Sequence, residues 1–123
     1  MIAFDVNETL LDLGSLDAPF EAALGDAALR PQWFTQMLQL AFVGGLTGQY
    51  VDFTTAQRAA LVMVGERANV PLGADDIDGL VALMSSLPPH PEVPGALAAL
   101  AATSLRLVAL TNSVQAVAGA QLA

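Results

Sequence analysis

The sequence predicts an α/β fold with a small parallel sheet and a long helical insertion, and three observations support this prediction. Residues 2–6 and 105–110 are short apolar runs followed by polar residues, as in buried parallel strands. Between them, apolar residues recur at helical spacing. The proline-rich segment 88–94 separates the helices from the second run. The predicted fold is a Rossmann-like parallel core with a helical domain inserted after its first strand.

Helical periodicity predicts four helices in the insertion. They cover residues 15–24, 31–43, about 54–68, and a last segment with Ile77, Leu80, Val81 and Met84 on one face. Pro31 suits the first turn of the second helix, which the glycines at 44, 45 and 48 are predicted to end. Thr54 or Thr55 can cap the third helix.

The predicted domains follow from these elements. Residues 1–13 and 91–123 form a partial core, and residues 14–90 form the inserted helical domain. In the core, the second strand lies between predicted helices over 95–103 and 114–123. The last helix has no glycine cap, proline or charged last turn, so the core is predicted to be incomplete.

The composition excludes several classes of function. The 123 residues include no cysteine, so disulfides, thiolate zinc sites and a cysteine nucleophile are excluded. The net charge of −8 argues against nucleic-acid binding. Neither a leader nor an apolar run of about 18 residues is present, so we expect no membrane association and take the cytoplasm as the default location. With 54% hydrophobic and 13% charged residues, some apolar surface is expected to serve a partner, and a homodimer is one option.

Two motifs follow the predicted strands. Residues 4–12, FDVNETLLD, resemble the first motif of the haloacid dehalogenase superfamily of hydrolases, in which hydrophobic residues precede Asp-x-x-x-Thr. Residues 110–113, LTNS, resemble its second motif, a serine or threonine after an apolar strand. The insertion, notably residues 33–38, resembles the four-helix cap of the L-2-haloacid dehalogenase branch. The resemblance spans essentially the whole chain and corresponds to the N-terminal half of a typical member.

The resemblance implies catalytic roles for Asp5 and Thr9. Asp5 would be the nucleophile, and Thr9 would support its loop by hydrogen bonding. Thr111 and Asn112 would hold a small anionic substrate, because a strand end that leads into a helix offers N–H donors and a favourable dipole. The alternatives are ordinary capping roles for Asp5 and for the Thr111–Asn112 pair.

Asn7 and Phe34 bear on the type of reaction. Phosphatases of the superfamily usually have a second aspartate at the position of Asn7 to protonate the leaving alcohol, whereas halide leaves without a proton. Asn7, as a substrate-binding residue, therefore favours hydrolytic dehalogenation of a 2-haloacid, which needs no metal or cofactor. Phe34 offers an apolar wall where this branch usually has an arginine. Arg30 lies one helical turn earlier and is the candidate to take the place of that arginine. In the phosphatase alternative, Asp5 and the Asn7 carbonyl would hold Mg²⁺.

The sequence has no lysine, although the family uses one to balance the charges of the nucleophile and substrate. That lysine and the acidic motif would lie beyond Ala123, so weak or no turnover is expected. A third hypothesis is a truncated, non-catalytic interaction module.

His90 is predicted to be a loop residue. Large apolar residues of the insertion are predicted to form its core, with the lining of a substrate pocket as the alternative, namely Trp33, Phe34, Met37, Phe42 and Met63.

Overall fold

The computed structural model describes residues 1–123 and has a helix-rich α/β fold with one small parallel sheet. Strands β1 (Ile2–Phe4) and β2 (Leu107–Ala109) pair in parallel, with Phe4 opposite Ala109. The helices are α1 (Asp17–Leu24), α2 (Leu29–Leu46), α3 (Phe53–Arg67), α4 (Ala74–Ala82), α5 (Val93–Ala101) and α6 (Gln115–Gln121). The 3₁₀ helices are Leu13–Leu16 and Leu83–Ser86. The predicted α/β class is confirmed.

The chain divides into two compact units. The strand unit comprises Met1–Ser15 and Leu87–Thr111, and the helical unit comprises Leu16–Ser86 and Asn112–Ala123. The helix α6 was predicted to lie in the core, but it groups with the helical unit because it packs on the 3₁₀ helix Leu83–Ser86. The predicted division into core and inserted domain stays a prediction. No helix combines the length and the hydrophobicity needed to cross a membrane.

The helical unit is organised around Trp33 on α2. This side chain is fully buried, and its ring centroid lies 5.1 Å from that of Phe20 on α1. The indole Nε1–H donates a hydrogen bond of 3.0 Å to the carbonyl oxygen of Gln57 on α3. Met37, one turn further along α2, is also fully buried. The predicted core role of these two residues is confirmed.

Phe42 was predicted to belong to this core, and that prediction is wrong because the side chain is 54% exposed. Phe42 lies nine positions after Trp33, so at about 100° per residue it is on the opposite face of α2. The buried face of this helix instead contains Trp33, Met37 and Gly44. Phe34 and Met63 are half-buried. The exposed Phe42 thus leaves an apolar surface on the outer side of α2.

The helix α2 continues through Gly44 and Gly45, where the sequence predicted its end. A Cβ atom at Gly44 would lie 2.6 Å from the carbonyl oxygen of Gln49, so glycine is required there by a close approach of the returning chain. The Gln49 N–H donates to the Gly44 carbonyl at 2.8 Å in the same approach. Gly48, with a φ of +74°, forms the turn after the helix.

The helix α3 is capped by Asp52 and not by Thr54 or Thr55, as was predicted. The Asp52 carboxylate accepts hydrogen bonds from the backbone N–H of Thr55 at 3.0 Å and from its hydroxyl at 2.7 Å. Thr55 lies in the first turn of the helix and acts as a donor. These hydrogen bonds, chiefly that from the hydroxyl, lower the pKa of Asp52 below its ordinary value of 3.8.

Replacing Asp52 with alanine is expected to lower the free energy of unfolding by about 1 kcal/mol at pH 7. Because the pKa of Asp52 is lowered on folding, its charge stabilises the fold above pH 3.8, and this contribution is lost as the pH falls through the pKa of the folded state. The difference between the parent and Asp52→Ala should therefore shrink in acid. Urea unfolding at pH 7 and near pH 3 measures it. An Asp52→Asn control should keep most of the cap without the pH dependence, and a pH-independent loss in Asp52→Ala would contradict the assignment.

Candidate active site

Asp5 lies at the start of a hydrogen-bonded loop, residues 5–11, which we call the β1 loop. The N–H groups of Leu10 and Leu11 both donate to the carbonyl of Val6, at 2.9 and 3.1 Å. The Thr9 hydroxyl donates to Oδ2 of Asp5 at 3.0 Å. Asp5 itself is exposed at the end of β1. The loop thus orients an accessible carboxylate through one of its two oxygens, and the catalytic roles of Asp5 and Thr9 stay predictions.

Thr111 reaches the same edge of the sheet as Asp5. The ladder between the strands extends by one hydrogen bond, from the Leu110 N–H to the Phe4 carbonyl at 2.7 Å. Asp5 and Thr111 are therefore the first residues beyond this ladder on two adjacent parallel strands. Such strand ends are where open α/β sheets bind their ligands. The juxtaposition fits the predicted substrate-binding role of Thr111, which is half-buried.

The remaining predicted site residues lie in different surroundings. Asn7 is only 7% exposed, and its backbone pairs with that of Leu11 inside the β1 loop. Asn112 and Phe34 belong to the helical unit. Asn112 is exposed shortly before α6, and the ring of Phe34 lies 6.3 Å from that of Trp33. Their substrate-binding roles stay predictions.

The proline-rich segment runs alongside the β1 loop. The Asp12 N–H donates to the Pro88 carbonyl at 2.8 Å, and the His90 N–H donates to the Leu10 carbonyl at 3.0 Å. Pro89 lies opposite Leu11 in an antiparallel bridge between these two hydrogen bonds, where its missing N–H costs no ladder bond. The sequence predicted a stiff connector at a domain hinge; the structure fixes this connector to the β1 loop.

Two features of the β1 loop were missed by the sequence analysis. Glu8 has a φ of +69°, a left-handed conformation that costs a residue other than glycine about 1–2 kcal/mol. The Nε2 atom of His90 lies 3.0 Å from the carbonyl oxygen of Glu8 and can donate a hydrogen bond to it. A typical net hydrogen bond contributes about 1 kcal/mol, so this contact can offset much of that cost. His90 is a loop residue, as predicted, but it is tied to the loop that carries Asp5.

Few positive charges lie in the strand unit. Its acidic residues are Asp5, Glu8, Asp12 and Glu92, and its only arginine is Arg106. The Arg106 carbonyl accepts from the Ile2 N–H at 2.9 Å, which places it at the opposite end of the sheet from Asp5. The structure contains no group of three or more histidine, aspartate or glutamate side chains that could hold a metal ion.

Two of the other arginines pair with carboxylates in the helical unit. Arg30 Nε lies 2.7 Å from Asp17 Oδ1, and Arg58 pairs with Asp78. The Arg30 side chain is only 16% exposed, so its contact with Asp17 is partly shielded from solvent. The guanidinium of Arg30 therefore forms its ion pair with Asp17, a carboxylate of the same unit.

An exposed aspartate thus follows the first strand of the small parallel sheet and precedes the helical segment. No protein-family model matches the chain. The chain is 33% identical over 113 residues to haloacetate dehalogenase H-2 of Moraxella sp. (strain B), an alignment that covers 90% of this chain and 50% of that protein.

Two solved structures support the same relationship. The L-2-haloacid dehalogenase of Xanthobacter autotrophicus has a TM-score of 0.88 and 24% identity, and the match covers 98% of this chain and 49% of that one. Another L-2-haloacid dehalogenase has a TM-score of 0.87 and 27% identity, with coverages of 94% and 53%. The chain is thus related by sequence and fold to haloacid dehalogenases, as predicted, and spans about half of their length.

Proposed function

We propose that this chain provides the nucleophile of a hydrolytic dehalogenase that acts on small 2-haloacids. The observation that carries this proposal is the exposed Asp5 carboxylate at the end of β1, oriented by the Thr9 hydroxyl at 3.0 Å. A structure of the Xanthobacter autotrophicus enzyme, with a TM-score of 0.86 over 98% of this chain, contains covalently bound chloropropionic acid. A covalent intermediate on Asp5 is consistent with that finding.

The proposed reaction has two steps. A carboxylate oxygen of Asp5 attacks C2 of the substrate, the carbon–halogen bond breaks, and its electron pair leaves with the halide. Water then attacks the carbonyl carbon of the Asp5 ester, which releases the 2-hydroxy acid and a proton and restores the carboxylate. Thr9 holds one oxygen of Asp5 so that the other faces the substrate. No cofactor takes part in either step.

The other predicted residues are assigned to substrate binding or to support of the β1 loop in this proposal. Thr111 and Asn112 offer donors to the substrate carboxylate, Asn7 stabilises the β1 loop from its buried position, and Phe34 forms an apolar wall. The helices α1 to α4 would form the four-helix cap, inserted over residues 14–90, and the strand unit would belong to an incomplete Rossmann-like core.

Halide release by the 123-residue chain tests the proposal. We expect slow release from L-2-bromopropionate or bromoacetate, because the chain has no lysine to balance the charges of Asp5 and the substrate carboxylate. We expect no phosphate release from p-nitrophenyl phosphate with Mg²⁺, since Asn7 cannot protonate the leaving group. Phosphate release without halide release would replace the proposal with a phosphatase. Release of neither would favour a non-catalytic interaction module.

An apolar surface at the end of α2 supports a homodimer as a further part of the proposal. Phe42, Val43, Leu46 and Tyr50 are 54%, 58%, 88% and 82% exposed. Residues 31–51 contain no charged side chain, although the chain has a net charge of −8. Two copies can therefore pack through this surface without bringing like charges face to face. A symmetric pair would bury the surface of both copies at once.

A Leu46→Asp variant is expected to weaken such a dimer at least tenfold, because two carboxylates would then be buried against apolar groups. Sedimentation velocity over a range of protein concentrations measures the effect. Leu122→Asp, at a 52% exposed leucine outside this surface, serves as the control. A parent chain that stays monomeric at high concentration would exclude the dimer.

A further inference from the structure

His90 holds the β1 loop at two points from a distant part of the sequence. Its Nε2 atom lies 3.0 Å from the carbonyl oxygen of Glu8, and its backbone N–H donates to the carbonyl of Leu10 at 3.0 Å. Pro89 and Pro91 flank it, and prolines restrict the backbone on both sides of the residue between them. The imidazole is therefore presented to Glu8 by a stiff segment.

Glu8 is the residue of the loop that most needs such a contact. Its φ of +69° is unfavourable for a residue with a Cβ atom. Without a contact that holds Glu8 in this conformation, the loop is biased toward conformations in which φ is negative. Glu8 immediately precedes Thr9, whose hydroxyl orients the Asp5 carboxylate. A rotation of Glu8 to a negative φ would displace Thr9 relative to Asp5.

We propose that His90 is a positioning residue, which holds Glu8 in its left-handed conformation and thereby keeps Thr9 hydrogen-bonded to Asp5. The inference rests on the proposed function, since it gives Asp5 the role of nucleophile. His90 acts through a backbone carbonyl and does not touch the reacting atoms. It raises the fraction of molecules in which the Asp5 carboxylate is correctly oriented.

Three variants of the full chain separate positioning from a merely structural effect. His90→Phe keeps a ring and removes the donor, whereas His90→Gln keeps an N–H donor near the position of Nε2. Glu8→Gly, added to His90→Phe, removes the need for the contact, because glycine adopts a φ near +69° without strain. Glu92→Gln, at an exposed residue of the same segment, is the matched control.

Alkylation of Asp5 by bromoacetate is the functional measurement, followed by acid quenching and peptide mass mapping. The chain has no cysteine, so no thiol competes for the reagent, and the mapping distinguishes Asp5 from histidine and methionine adducts. Amide hydrogen exchange of the β1 loop reports its conformation independently. The unfolding free energy of each variant shows whether the whole fold has changed.

We expect His90→Phe to slow Asp5 alkylation about fivefold, the effect of losing one typical net hydrogen bond. His90→Gln should remain within about twofold of the parent, and Glu8→Gly should restore the rate of the His90→Phe chain. Amide hydrogen exchange of the β1 loop should accelerate in His90→Phe. It should stay close to the parent rate in His90→Gln and return to it when Glu8→Gly is added to His90→Phe. An unchanged rate in His90→Phe, or a loss that neither Gln nor Glu8→Gly restores, would overturn the proposal.

The failure of the proposed function gives a different result. In that case bromoacetate neither forms an Asp5 adduct nor releases bromide with the parent chain, whatever the residue at position 90. Loop exchange then shows whether His90 holds the loop at all, and unchanged exchange in His90→Phe would overturn the positioning role as well.

Discussion

Replacing Asp5 with asparagine is expected to reduce halide release from L-2-bromopropionate by about a thousandfold or more. The amide is a poor nucleophile, yet its oxygen can still accept the Thr9 hydroxyl, so the β1 loop should keep its structure. Initial rates of halide release, measured with equal protein concentrations and substrate in excess, give the ratio. A variant with more than a tenth of the parent rate would mean that another group performs the attack.

Asp12→Asn is the matched control for this experiment. Asp12 lies in the same predicted motif, and its Oδ1 accepts a hydrogen bond from the Gly14 N–H at 2.7 Å. An asparagine oxygen can keep that bond, so halide release should stay within about twofold of the parent. Equal losses in both variants would show that the effect of Asp5→Asn is structural and not chemical.

Trp33→Ala is expected to lower the free energy of unfolding by about 3–5 kcal/mol, a large part of the stability of a small domain. The side chain is fully buried, its ring packs 5.1 Å from that of Phe20, and its Nε1–H satisfies the Gln57 carbonyl. The variant leaves a large cavity and loses the indole hydrogen bond. Urea denaturation followed by circular dichroism measures the change.

Two further substitutions calibrate the effect of Trp33→Ala. Trp33→Phe keeps most of the packing and loses the hydrogen bond, so a loss of about 1–3 kcal/mol is expected. Phe42→Ala, on the exposed face of the same helix, should change stability by about 0.5 kcal/mol or less at a protein concentration where the chain is monomeric. A similar loss at Trp33 and Phe42 would contradict the assignment of the buried face of α2.

Local sequence patterns predicted the elements of the fold better than their ends. The periodicity of α2 identified the helix because its buried residues, such as Trp33 and Met37, recur on one face. Its end was misplaced since Gly44 serves a close contact with the returning chain, which a local pattern does not reveal. Asp52 was missed as the cap of α3 because two threonines that follow it are also good capping residues.

The candidate site likewise contains residues that a local pattern predicted and contacts that it did not. Asp5 and Thr9 were predicted from the resemblance of residues 4–12 to a family motif, and the structure joins the two side chains by a hydrogen bond. Thr111 followed from the expectation of parallel strands. The contact of His90 with Glu8 joins residues 82 positions apart, and a glutamate gives no sign of a positive φ. Such features depend on how the proline-rich segment returns along the loop, which only the tertiary structure shows.

A single turnover in ¹⁸O-labelled water, with the protein in excess over L-2-bromopropionate, tests the role of Asp5 most directly. If Asp5 forms an ester that water cleaves at the carbonyl carbon, the label appears in the Asp5 carboxylate and the 2-hydroxy acid stays unlabelled. Peptide mass mapping locates the label. A labelled 2-hydroxy acid with an unlabelled Asp5 would show that water displaces the halide directly, and would contradict the nucleophilic role of Asp5.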